Sequence, residues 1–145
     1  MLMNKKTFTL ILSFAIFAGF FLPLFEWHSF EMSGPNYILS THISSYKYFL
    51  LLIPFSSLFL FLGALNDENY FFNKEILEWI PLLSLVFIFI MRYMNASSEN
   101  NLSDNGKYLS GIDMGFWLLL LSSFLLLLAK DKKNPDERPI ARSPK

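Results

Sequence analysis

The sequence predicts an all-α integral membrane protein whose four helices form a bundle. Of the 145 residues, 53% are hydrophobic and only 17% are charged, whereas about a quarter of the residues of a soluble domain are charged. The apolar residues gather in four long runs instead of short alternations. Because a bilayer core offers the backbone no hydrogen-bonding water, apolar runs of this kind cross it as helices.

The first run, residues 7–25, predicts a helix near 6–26. It follows Lys5 and Lys6, as the apolar part of a secretory signal peptide also would. That part is usually about 7–15 residues long and ends at small residues. This run is longer and leaves through Leu22-Pro23-Leu24-Phe25, so we expect a retained helix and not a cleaved signal.

The other runs predict helices near 46–65, 74–94 and 112–130, with ends placed to within about 2–4 residues. Each is close to the roughly 20 residues that cross a hydrocarbon core. Pro54 lies inside the second run and predicts a bend, whereas Pro81 lies near the start of the third, where proline costs less. The transmembrane domain is therefore expected to cover residues 1–130.

The remaining residues, 131–145, predict a disordered, charged cytoplasmic tail. They contain Pro135, Pro139 and Pro144 together with many charges. Prolines break helices, and there is little apolar surface to bury.

The distribution of cations predicts that both termini are cytoplasmic. If the four runs all cross, one side carries nine cations: Lys5, Lys6, Lys74, Lys130, Lys132, Lys133, Arg138, Arg142 and Lys145. The other side carries Lys47, Arg92 and Lys107. Basic residues are enriched in cytoplasmic loops. We therefore expect a multi-pass membrane protein of the bacterial inner (cytoplasmic) membrane.

The first outer connection predicts an ordered cap that contains a short β-hairpin. Ser33-Gly34-Pro35-Asn36 supplies turn chemistry, and the following apolar stretch could pair with the preceding one or lie along the membrane surface. A loose loop is the alternative, but the apolar content argues against it. The candidate partner-binding residues are Trp27, Phe30, Met32 and Tyr37.

Residues with the potential for chemistry are few. Cysteine is absent, which excludes thiolate catalysis and disulfides. Glu26, His28, Glu31 and His42 are weak candidates for metal ligands, because their spacing matches no helical metal motif. Glu78 lies in the first turn of the third run, where Glu75 and Glu78 are expected to complement the helix dipole behind an Asn73 cap. No metal, cofactor or nucleic-acid partner is expected.

The chain resembles small four-span bacterial membrane proteins of unknown function. The similarity rests on Leu22-Pro23-Leu24-Phe25, on Phe30-Glu31-Met32-Ser33-Gly34 and on Gly115-Phe116-Trp117. It implies the architecture alone and transfers no functional residue. The topology is also similar to that of claudin-like tetraspan proteins, whose paired cysteines and Gly-Leu-Trp motif are missing here.

These features favour a non-enzymatic accessory or structural subunit that acts through a membrane-protein partner or a second copy of itself. An oligomeric small channel or transporter subunit is the alternative, with a path lined by Ser13, Ser56, Ser57, Ser84, Ser122 and Ser123. A membrane-bound enzyme ranks third, because its reactive groups would have to come from the four candidate metal ligands.

Overall fold

The computed structural model describes residues 5–27, 30–41, 45–66, 69–98 and 111–128. This part of the chain is mostly helical with a small two-stranded sheet, so the predicted helical class and the hairpin are both confirmed. The elements in chain order are α1 (Lys5–Gly19), β1 (Pro23–Trp27), β2 (Phe30–Ser33), α2 (Gly34–Leu39), a 3₁₀-helix (Ser45–Leu51), α3 (Leu52–Leu65), α4 (Lys74–Ser98) and α5 (Met114–Leu128).

Four helices, α1, α3, α4 and α5, pack as a ring. Helix α1 contacts α3 and α5, and α4 contacts the same two helices from the opposite side. Within the described residues, two helices are long and apolar enough to cross a membrane. They are Ser45–Leu65, which joins the 3₁₀-helix to α3, and Lys74–Met94 within α4. Helices α1 and α5 have 15 residues each and are therefore only about 22 Å long. The ring thus combines two long helices with two short ones.

Helix α1 ends at Gly19 and not near residue 26 as expected. A tight turn follows, in which the amides of Phe21 and Leu22 donate to the carbonyls of Ala18 and Gly19 at 3.0 and 3.2 Å. Such bonds to the third preceding residue are typical of helix ends. Pro23 lacks an N–H and opens β1 instead of continuing the helix.

The segment expected to form the hairpin turn is a helix. Residues 33–36 were expected to reverse the chain, but Gly34–Leu39 forms α2, with Ser33 as its N-cap residue. Pro35 suits this position because the first amides of a helix have no intrahelical partner. Residues 28 and 29, which connect the two strands in sequence, lie outside the described residues.

Pro54 also lies in a first helical turn. The 3₁₀-helix ends at Leu51 and α3 begins at Leu52 without a break, because Leu51 itself has right-handed helical dihedral angles. The missing amide of Pro54 therefore removes one intrahelical hydrogen bond just after this junction. The geometry changes from 3₁₀ to α just before this proline, and the bend expected at Pro54 stays a prediction. Residues 131–145, expected to be a disordered tail, lie outside the described part of the chain.

Polarity in the ring is reversed relative to a soluble protein. Its buried polar side chains include the hydroxyls of Ser13, Ser56, Ser57, Ser84, Ser122 and Ser123. The outer face of the ring exposes large apolar side chains on each of its four helices, among them Phe14, Phe55, Leu83 and Phe124. Soluble proteins rarely expose contiguous apolar surface of this extent.

Candidate functional site

The hairpin and α2 form a cap over the ends of the two short helices. The amide of Gly34 donates to the Phe20 carbonyl at 2.9 Å, and this fixes the start of α2 against the end of α1. At Gly115, in the first turn of α5, a Cβ would lie 2.4 Å from the Pro23 carbonyl oxygen. No real Cβ approaches an oxygen so closely, so glycine at 115 allows β1 to rest on α5.

The segment that precedes α5 extends the sheet along the free side of β1. The Glu26 amide donates to the Gly111 carbonyl at 2.8 Å, and the Asp113 amide donates to the Leu24 carbonyl at 3.1 Å. Phe25 and Ile112 form an isolated antiparallel bridge between them. Backbone bonds therefore tie the cap to both α1 and α5.

A buried arginine ties the cap to α4. Arg92 is 8% exposed, and its Nη2 donates to the Glu26 carbonyl at 3.0 Å. Its guanidinium carbon lies 4.6 Å from the centre of the Phe25 ring, within cation–π range. Removing a charge from water is costly unless it gains partners, so this arginine holds the cap firmly against the longer helix.

Aromatic rings fill the space under the cap. The Phe25 ring lies 5.2 Å from that of Tyr37 and 5.7 Å from that of Phe116. Burial raises the pKa of Tyr37 far above its ordinary value, and a hydrogen bond with Tyr46 adds to this effect, whereas the nearby Arg92 lowers it. Tyr37 is therefore a neutral hydrogen-bonding group inside the cap.

A second buried cation closes the far end of the cap. Lys47 is 7% exposed, its Nζ donates to the Ser40 carbonyl, and the same atom lies 5.4 Å from the centre of the Tyr48 ring. This bond ties the chain that leaves α2 to the 3₁₀-helix. Lys47 and Arg92 were considered from sequence only as outer-side cations. Their position at the ends of apolar runs was the signal that could have indicated buried roles.

Of the four candidate partner-binding residues, the structure places two opposite each other in the hairpin and buries a third. Trp27 and Phe30 are paired in the hairpin, but their side chains lie outside the described part of the structure. Met32 is half-buried. Tyr37 is 2% exposed, so it belongs to the interior of the cap and not to its surface.

The candidate metal ligands are brought together only in part. Glu26 and Glu31 are directly opposite in the hairpin register, and both are exposed. His28 and His42 lie outside the described residues. Within the described ranges, no three His, Cys, Asp or Glu side chains are grouped as metal ligands would be. Two exposed carboxylates at opposed positions make this surface of the hairpin acidic. They also repel each other, which costs some stability.

The start of α4 has the expected cap. Asn73 Oδ1 accepts a hydrogen bond from the Glu75 amide at 2.9 Å, and the Asn73 carbonyl accepts one from the Leu77 amide at 3.1 Å. Glu75 lies in the first turn of α4, but Glu78, which was also expected there, is the fifth residue of the helix and is buried. The dipole interaction expected of a carboxylate in the first helical turn therefore applies to Glu75 and not to Glu78.

Comparison of the chain with models of protein families, with curated proteins and with solved structures gives no match.

Proposed function

We propose that this chain is a four-span protein of the cytoplasmic membrane, with both termini in the cytoplasm, that acts as a non-enzymatic accessory subunit by binding a partner through its outer cap. The observation that carries the proposal is the reversed polarity of the ring, with serines inside and phenylalanines and leucines outside. Lipid is the solvent that such a surface suits. The resemblance to small four-span bacterial proteins is consistent with this architecture.

The short helices α1 and α5 are compatible with crossing the bilayer. Each is about 22 Å long, less than the hydrocarbon thickness of about 30 Å. The cap rests on the ends of both and adds height on the outer side. Because its backbone amides and carbonyls bond to α1, to the start of α5 and to Arg92, the hairpin satisfies polar groups that lipid could not.

The buried cations support the proposed orientation. Of the three cations on the outer side, Lys47 and Arg92 are nearly inaccessible and bonded to backbone carbonyls. They hold the cap in place and are not free basic charge in a loop. The difference in accessible basic charge between the two sides, on which the positive-inside rule depends, is therefore larger than the bare count of cations indicates.

The acidic hairpin surface supports recognition of a partner. Glu26 and Glu31 are exposed side by side on a cap that bonds to three other segments of the chain. A rigid surface loses little conformational freedom on binding. A basic or polar outer segment of a partner membrane protein is the chemistry that would complement it.

The topology can be tested by labelling single cysteines in intact cells, because the chain has no cysteine of its own. Thr41 and Asn66 are both exposed and lie on opposite sides in the proposed topology. An impermeant maleimide should label Thr41→Cys, and it should label Asn66→Cys only after permeabilisation. Labelling of Asn66→Cys in intact cells would contradict the proposed orientation.

Partner binding can be tested with a photo-crosslinking amino acid at Glu31, using the same replacement at Glu75 as the matched control. Both glutamates are exposed, but Glu75 lies at the inner end of α4. Illumination in native membranes should give an adduct of discrete mass from position 31 that position 75 does not give. No adduct at position 31, or the same adducts from both positions, would count against the cap as the binding surface.

The alternative of an oligomeric channel has less support. The serines that could line a path are buried within a single chain. Ser13, Ser56 and Ser57 donate to carbonyls of their own helices, as serines in apolar helices commonly do. They are not presented to a neighbouring subunit. Ion flux through vesicles containing the purified protein would restore this alternative.

A further inference from the structure

The connection between α3 and α4 presents three consecutive aromatic residues, Tyr70, Phe71 and Phe72. Phe71 is 75% exposed and Phe72 is 58% exposed, whereas Tyr70 is half-buried. Exposed asparagines, Asn69 and Asn73, lie on either side of the three. Leaving two large apolar rings in water is unfavourable, so their exposure indicates an apolar surrounding outside the chain.

Two contacts place this connection alongside the last turns of α3 and not beyond its end. The Tyr70 ring lies against Gly63, where a Cβ would overlap it. The rings of Phe59 and Phe72 meet edge to face with their centres 5.2 Å apart. Phe59 lies six residues before the end of α3, a distance of about 9 Å along the helix, and helical side chains lean towards the N-terminus. The Phe72 ring therefore lies further inside the bundle than the end of α3.

The helices beside these rings already expose apolar side chains at the same level. Leu62 and Leu65 are exposed on the last turns of α3, and Ile76 is exposed on the first turn of α4. Lys74 precedes Ile76 by two residues, and its ammonium lies 5.2 Å from the centre of the Tyr70 ring. Lysine and tyrosine are residue types of the membrane–water interface. The border between headgroups and acyl chains therefore falls between Lys74 and Ile76.

We infer that Tyr70, Phe71 and Phe72 form an aromatic anchor whose two phenylalanine rings insert among the acyl chains of the cytoplasmic leaflet. This rests on the proposed membrane location and orientation. The backbone of the anchor stays at the headgroup level, where water satisfies its amides and carbonyls, and only the rings enter the hydrocarbon. The anchor thereby fixes the depth of the connection between α3 and α4 in the membrane.

Lipid suits these rings better than a soluble partner protein does. Phe72 packs on Phe59 beside the exposed leucines of α3, so a partner from the cytoplasm would have to reach past the end of the helix to cover it. Acyl chains that surround α3 reach the same place without any rearrangement. The exposed surface of α3 and the anchor therefore share one solvent.

The test measures the depth of single nitroxide spin labels, because the chain has no cysteine of its own. Phe71→Cys is compared with Asn69→Cys, an exposed polar position of the same connection, and with Leu62→Cys, an exposed position on α3. The full-length protein is reconstituted in vesicles of phosphatidylethanolamine and phosphatidylglycerol. Molecular oxygen concentrates in hydrocarbon, and a nickel chelate stays in water. The ratio of oxygen to nickel accessibility should be several-fold higher at position 71 than at position 69 and close to that at position 62.

Two results would overturn the inference. A ratio at position 71 as low as that at position 69 would place the Phe71 side chain in water. Low accessibility to both reagents at position 71 would show that a partner or a second copy of the chain covers it. If Phe71→Cys does not fold, Phe72→Cys provides the same comparison from the neighbouring ring.

The label at position 62 separates this inference from the proposed function. If position 62 is in hydrocarbon and position 71 is in water, the aromatic anchor alone fails. If position 62 is also in water, the proposed membrane location fails as well.

Discussion

Alanine at Gly115 should weaken the fold more than alanine at Gly19. Gly19 ends α1 against α5, and Gly115 lies in α5 against the segment that follows α1. A Cβ at 115 would lie 2.4 Å from the Pro23 carbonyl oxygen and 2.9 Å from Leu22 Cβ, whereas a Cβ at 19 would come no closer than 3.1 Å to a methyl group of Leu119. The obstacle at 115 includes fixed backbone. The obstacle at 19 is the end of a flexible side chain.

The expected magnitudes follow from these contacts. Overpacking against a fixed neighbour costs about 1–3 kcal/mol, and the gain in helix propensity on replacing glycine by alanine is at most about 1 kcal/mol. Gly115→Ala should therefore lose about 2 kcal/mol of unfolding free energy, a change of about 30-fold in the unfolding equilibrium constant. Gly19→Ala should stay within about 1 kcal/mol of the wild type, because the Leu119 side chain can shift.

The assay is equilibrium unfolding in mixed micelles, with an increasing fraction of dodecyl sulfate and helix content followed by circular dichroism. Hydrogen exchange gives a local readout. The Glu26 amide, bonded to the Gly111 carbonyl at 2.8 Å, should exchange faster in Gly115→Ala because β1 is displaced from α5. If the two variants unfold alike and this amide remains protected in both, the cap does not depend on the close approach at Gly115.

Four further predictions concern other parts of the chain. Arg92→Met should lower the free energy of unfolding by about 1.5–3 kcal/mol, because it removes a charged donor from a buried carbonyl. Arg92→Lys should recover only part of this loss, and faster limited proteolysis of the cap from the outer side would show that the cap opens. Ser123 Oγ is buried without a hydrogen-bond partner among the described residues, so Ser123→Ala should be neutral or stabilising. Ser13→Ala, which loses a hydrogen bond of 2.7 Å, should lower the free energy of unfolding by about 0.5–1.5 kcal/mol in the same micelle titration. The fold raises the pKa of Tyr37 above its unfolded value of 10.0. The stability contributed by the Tyr37 phenol is therefore complete below pH 10 and is lost above it, where the unfolded phenol ionises. The free energies of unfolding at pH 9 and pH 11 should differ less for Tyr37→Phe than for the wild type. Deleting Asn134–Lys145 should leave expression unchanged when measured in membrane fractions, and a collapse in yield would mean that the tail packs against the bundle.

The candidate surface could be predicted from sequence only in outline. The alternation of Phe25, Glu26 and Trp27 indicated a strand, because successive side chains of a strand point to opposite faces, and the hairpin is present with Phe25 buried and Glu26 exposed. Tyr37 was expected on the binding surface, but the hairpin turns earlier than Ser33 and the following residues form α2. Tyr37 therefore points into the cap.

By itself, the sequence determined where the long helices of the chain lie and that Asn73 caps α4. These features are local. An apolar helix depends on the transfer of consecutive side chains out of water, and the Asn73 cap accepts its hydrogen bond from an amide only two residues further along the chain. The tertiary structure alone decided where α1 ends, how the hairpin is held and why Arg92 is buried. The hydrogen bond from Arg92 to the Glu26 carbonyl joins positions 66 residues apart. The close packing of β1 against Gly115 also joins two distant parts of the chain. Contacts of this kind exist only once the helices have packed, so no local pattern of residues encodes them.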